Sequence, residues 1–130
     1  MIFTKVRMQG FSLIEMLIAA VALAVLAAIA IPSYSNFMER ARRSEAREAL
    51  SDAAARQEQF FMDNKAYANG LAVINVNATT ENGYYSITMP ASTALSYTLR
   101  ATAAGGQAGD TDCATMDLTN LRVKSPAGCW

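Results

Sequence analysis

Residues 10–32 read GFSLIEMLIAAVALAVLAAIAIP and carry a single charge, Glu15. No Asp, Glu, Lys or Arg follows until Glu39, so the uncharged run from Met16 to Met38 is 23 residues long (38 − 16 + 1). As a helix rising about 1.5 Å per residue, that run spans a hydrocarbon core roughly 30 Å thick. A carboxylate placed inside such a segment costs about 2.5–3.5 kcal/mol on insertion scales unless it finds a partner. Lys5 and Arg7 precede the run, and a positive flank stays on the cytoplasmic side. Ala28-Ile29-Ala30 offers a competing reading, a small-x-small site for secretory cleavage after Ala30. Glu15 inside the apolar core and the continuation past Ala30 weigh against it.

The apolar pattern predicts one long helix from Phe11 to about Asp63. Its first half is apolar on all sides, and its alanines, dense from Ala19 to Ala30, suit close helix–helix approach. Pro32 removes an amide donor and predicts a kink. From Glu39 the pattern turns amphipathic, with Ala46, Ala49, Leu50, Ala53, Phe60 and Phe61 as one stripe. Glu39 with Arg43 and Asp52 with Arg56 are spaced as i,i+4 ion pairs. The cluster Arg40, Arg42, Arg43 and Arg47 reads as a solvated face, or as a contact for lipid headgroups or acidic neighbours.

Residues 65–83 form a polar, asparagine-rich loop with a short turn at residues 71–76. Strand-like runs follow at residues 84–89, 95–102 and 115–124, separated by Pro90-Ala91 and by the glycine-rich residues 104–110. Leu95, Tyr97 and Leu99 alternate with polar residues, as do Met116, Leu118 and Leu121. The expected fold class is α+β: a small antiparallel sheet of three or slightly more strands on the second half of a long helix. The expected segments are 1–10 (leader), 11–38 (membrane or filament-core half), 39–63 (amphipathic half) and 64–130 (loop, sheet and C-terminal loop). Cys113 and Cys129 are either a disulfide or two buried thiols, and the export segment favours the disulfide.

The composition narrows function. Lys plus Arg and Asp plus Glu number 11 each and histidine is absent, which removes the commonest general base and metal ligand. No nucleophile–base pair, metal cluster or phosphate loop stands out, so neither catalysis nor a cofactor is expected.

The residues now quoted resemble the prepilin signature of type IV pilins: Gly10, Phe11, three uncharged residues, Glu15, the long apolar run and Pro32. YSNFMERARRSEAREAL (34–50), FFMDNKAYA, NGYYSIT, YTLRAT, QAGDTDC and the final GCW extend the resemblance toward PilE-type minor pilins. The resemblance implies the type IV pilin fold. It also implies cleavage between Gly10 and Phe11 by a prepilin peptidase, and N-methylation of Phe11. An inner-membrane stage follows, with the N-terminus cytoplasmic and the head periplasmic, in contact with membrane lipid and the assembly platform. The chain then enters an extracellular filament of pilin subunits serving adhesion, twitching or DNA uptake. Glu15 would dock on the amino group of a neighbouring Phe11, because a buried acid is tolerated beside a buried ammonium. Family members often carry glycine where this chain has Ala24, which opposes melting between Ala24 and Pro32. Two alternatives share the signature: a DNA-uptake receptor, with Arg100, Arg122 and Lys124 as a small cationic patch and Tyr84, Tyr85 and Trp130 for stacking, and a type II secretion pseudopilin.

Overall fold

The computed structural model describes residues 10–130; Lys5 and Arg7 of the basic leader lie outside them. Helix α1 runs from Leu13 to Asn64 with Pro32 inside it, so the proline does not end the helix. The chain divides between Asn36 and Phe37 into two units. In the first, every described residue is exposed.

In the second unit, α1 buries Ala46, Leu50, Ala53, Ala54 and Gln57, a stripe at helical spacing. Three of these five buried residues are alanines, which place little side-chain bulk on that face. Phe60 and Phe61, expected as part of that apolar stripe, are only half-buried. Gln57 holds that level instead. Its side chain donates to the Ala68 carbonyl at 3.0 Å and accepts from the Ala68 amide at 2.9 Å. An apolar side chain there would leave both backbone groups unpaired in the interior. Phe61 packs on Tyr67 at 4.7 Å between ring centres, and Tyr67 meets Tyr97 edge-on at 4.8 Å. Burial, with Glu58 nearby, pushes the Tyr97 phenol up to about 12.

Four strands follow: β1 (Tyr85–Ser92), β2 (Tyr97–Ala103), β3 (Thr115–Thr119) and β4 (Lys124–Ser125), paired antiparallel in chain order. Tyr97, Leu99 and Ala101 of β2 point inward, with Leu118 opposite Leu99 and Met116 opposite Ala101. The expected boundaries need three corrections. β1 continues through Pro90-Ala91, because an irregularity between Thr88 and Ala91 takes the proline out of the ladder. Leu95 is exposed in a turn closed by Thr93 and Ser96, not part of β2. The third run is a hairpin. The Arg122 amide bonds to the Thr119 carbonyl at 2.9 Å and Arg122 takes a φ of 61°, so Leu121 projects into solvent.

Both edges of the sheet are short or covered. Along β1, Ile87 donates to the Ala78 carbonyl and Thr80 to the Tyr85 carbonyl, and the proline irregularity occupies the far end. β4 is two residues long. Cys113 and Cys129 are joined by a disulfide with a Cα separation of 5.8 Å, tying the last residues to the segment before β3. A cross-link closing a loop of this size stabilises by about 3 kcal/mol on the chain-entropy model.

Candidate functional site

Ser12 fixes where α1 begins. Its hydroxyl oxygen accepts from the Glu15 amide at 3.2 Å, and its carbonyl accepts from the Met16 amide at 3.2 Å. Ser12 is thus an N-cap and Glu15 stands three residues into the helix, the spacing of a capping box. Ser12-x-x-Glu15 is the sequence signal for this cap, and it goes unused when Glu15 is read for its charge alone. An acid in the first turn also lies at the positive end of the helix macrodipole. Gly10 and Phe11 precede the helix without regular structure.

Beyond Glu15 the helix is uncovered. Its most apolar 18-residue window has a mean hydropathy of 2.7, and none of it is buried. Phe11 is 76 % exposed and Leu13 85 %, and large apolar side chains continue through Ile31 to Phe37. A bare apolar surface of this length requires lipid or other helices against it.

The head is held by a polar clamp between α1 and the loop joining β2 to β3. Arg43 donates through Nε and Nη2 to the two carboxylate oxygens of Asp110, both at 2.7 Å. Their side chains are 14 % and 1 % exposed. Gln107 Nε2 donates to Asp110 at 2.9 Å and to the Glu39 carbonyl at 3.0 Å, while the Cys113 amide donates to Asp110 at 3.2 Å. The Arg43 hydrogen bonds hold the Asp110 carboxyl below the usual carboxylate range, against the opposing effect of burial. Arg42 lies over the Tyr84 ring at 4.6 Å and donates to the Gly106 carbonyl at 3.1 Å. Arg43 therefore pairs across 67 residues with Asp110 rather than with Glu39, correcting the expected i,i+4 pair. The Asp52–Arg56 pair is present at 2.9 Å.

The cationic trio on the sheet does not assemble. Arg100 is bound through two hydrogen bonds of 2.7 Å to Asp117, its cross-strand partner. Directly paired residues share a sheet face, so Arg100, Asp117 and Ser125 form one row, while Leu99, Leu118 and Lys124 form a row on the opposite face. Arg122 sits in the intervening turn. Lys124 lies 5.0 Å from the centre of the Trp130 ring. Tyr85 is fully buried and presents no ring for stacking, and Tyr84 is half-buried beneath Arg42. Among the described residues no cluster of metal-ligating side chains occurs.

Residues 5–31 match a family model described as a prokaryotic N-terminal methylation motif. Residues 32–117 match the model for "Type IV minor pilin ComP, DNA uptake sequence receptor", which is 86 of 130 residues (117 − 32 + 1). The wide-pilus major component PilA4 of Thermus thermophilus is 32% identical over 99 residues, covering 75% of this chain and 76% of that protein. The major pilin PilA of Myxococcus xanthus is 38% identical over 63 residues, covering 48% of this chain and 29% of that longer protein. A type IV pilin structure from Shewanella oneidensis superposes with a TM-score of 0.57 at 24% identity, covering 71% of this chain and 97% of that one. A bare apolar helix behind a serine cap, a disulfide-closed antiparallel head and these matches along the chain lead to one assignment. This protein belongs to the type IV pilins, within the ComP family of minor pilins.

Proposed function

We propose that the chain is cut between Gly10 and Phe11 by a prepilin peptidase, methylated on the Phe11 amino group, and passed by an inner-membrane platform into a filament. Residues 1–10 serve as the leader and 11–38 as membrane anchor and later filament core. Residues 39–63 are the helix of the head, and 64–130 supply its loop, sheet and disulfide. Before assembly the leader side faces the cytoplasm and the head faces the periplasm. Within the filament Glu15 meets the Phe11 ammonium of a neighbouring subunit. One observation carries this reading: an 18-residue window of mean hydropathy 2.7, none of it buried, in the same helix that supplies the core of a folded head.

Mass spectrometry of sheared filaments tests it. A peptide from this chain that begins at Phe11 and carries one added methyl group is the expected result. A mature chain beginning at Ile31, or absence of the chain from filaments, overturns it.

The family match over residues 32–117 favours a second role, capture of DNA during uptake. Charge neutralisation of phosphates makes such binding salt-dependent. With Arg100 committed to Asp117, the cations left for it on the C-terminal side are Arg122 and Lys124. The detergent-solubilised chain should retard duplex DNA at low salt, and Lys124→Ala should weaken that shift. Absence of any shift at low salt dismisses the role.

A further inference from the structure

We infer that a cavity in the head holds the phosphate of an anionic phospholipid between Arg40 and Arg47, an inference that rests on the membrane-anchor reading above. Arg40, Arg43 and Arg47 stand at i, i+3 and i+7 on α1 and share one face of the helix. With Gly128 and Cys129 they line a cavity of about 300 Å3, and no carboxylate is among its lining residues. Asp110 neutralises Arg43, whereas Arg40 and Arg47 have no salt bridge among the described residues. The wall supplied by the C-terminal turn is small and fixed. A Cβ added to Gly128 meets nothing within 4 Å, and Cys129 is tied by its disulfide to Cys113. The result is an open cationic space with two uncommitted guanidinium groups. Such planar forks match the oxygens of a phosphate, and their charge does not titrate away. The volume is at the small end for ligand pockets, which suits a headgroup.

Position along α1 selects the source of that phosphate. Arg40 comes two residues after Met38, the last residue of the uncharged run, which is about 3 Å along the axis. The polar layer of a bilayer is about 5–8 Å thick on each side of the hydrocarbon core. Arg40 therefore falls within that layer when the run spans the core. Arg47 leaves the helix about 14 Å from Met38. Long helical side chains lean toward the helix N-terminus, here toward the membrane, and Arg47 lines the same cavity as Arg40. A zwitterionic lipid brings its own cation with its phosphate, so two free guanidinium groups favour an anionic headgroup. Duplex DNA and free phosphate offer the same oxygens. The nearness of Arg40 to the apolar run favours lipid. A grip of this kind holds the head against the bilayer until the chain leaves it.

Native mass spectrometry of the full chain in non-ionic detergent tests this, with phosphatidylglycerol, phosphatidylcholine of equal acyl length, inorganic phosphate or a short DNA duplex added in turn. The expected result is one phosphatidylglycerol retained per chain at concentrations that leave phosphatidylcholine unbound. Arg40→Ala and Arg47→Ala should each weaken that retention about fivefold, the scale of one basic residue at an anionic lipid surface. Neither position holds a salt bridge inside the head, so both variants should fold. Gly128→Glu should abolish retention with both arginines in place, because its carboxylate enters open space and occupies them. Equal retention of the two lipids overturns the inference, as does unchanged retention in the variants. So does displacement of the lipid by equimolar phosphate, or a duplex that binds through Arg40 and Arg47 in its place. Release of the wild-type chain from cell membranes by alkaline washing would instead defeat the anchor reading itself.

Discussion

Asp110→Ala should destabilise the head by about 3–5 kcal/mol, because it strands the Arg43 guanidinium in a site with little water to replace the lost carboxylate. The loss extends beyond the ion pair. Asp110 also accepts from Gln107 and from the Cys113 amide, so the alanine leaves three sets of donors without their partner. Denaturant unfolding followed by circular dichroism on the solubilised chain measures the effect, and a loss under about 1 kcal/mol would place the pair with exposed ones. Replacing both partners, Arg43→Met with Asp110→Leu, should recover part of the loss, since no buried charge is then left alone. The same carboxylate makes stability depend on acid. Its folded pKa lies below its ordinary value, chiefly through the Arg43 hydrogen bonds. Its contribution is therefore complete above the unfolded value, about 3.9. It is lost as pH falls through the lower folded value.

Glu15→Ala should leave membrane insertion and cleavage intact while lowering recovery of the chain in sheared filaments on the order of 100-fold. That figure corresponds to about 3 kcal/mol, the low end for breaking a buried pair by removing one partner. The cap complicates a simple interpretation, because Glu15 also occupies the third position after Ser12. Two further variants separate the roles. Glu15→Gln keeps a polar side chain at that position and removes the charge, so docking predicts that it fails like alanine. Ser12→Ala removes the cap and keeps the charge, costing about 1 kcal/mol of helix stability and little incorporation. Equal defects in Ser12→Ala and Glu15→Ala, with Glu15→Gln normal, would make Glu15 a capping residue and end the docking role.

Local periodicity made the main architecture legible. The end of the apolar pattern placed the end of α1 at Asp63-Asn64, where the structure ends it at Asn64. A strand-like run located β1, alternation located the centres of β2 and β3, and the apolar side of the helix was identified by Ala46, Leu50 and Ala53. What escaped was long-range or conformational. Arg43 lies four residues after Glu39, but its partner sits across the β2–β3 loop, and no spacing rule reaches 67 residues. Gln57 looks like a surface residue until the Ala68 backbone is brought beside it. Arg122 adopts a left-handed turn without a glycine to advertise it, and so two strands read as one. The cationic patch failed for a related reason. Strand pairing puts residues 100 and 124 on opposite faces, and residue 122 sits in the turn between β3 and β4.

The way the sheet ends has a consequence for life in a crowded fibre. A pilus brings the heads of pilin subunits together at high local concentration, conditions that favour cross-β stacking between bare strands. Here one margin is occupied by the chain's own loop and a proline, and the other stops after two residues. Neighbouring heads are thereby denied a template for cross-β pairing.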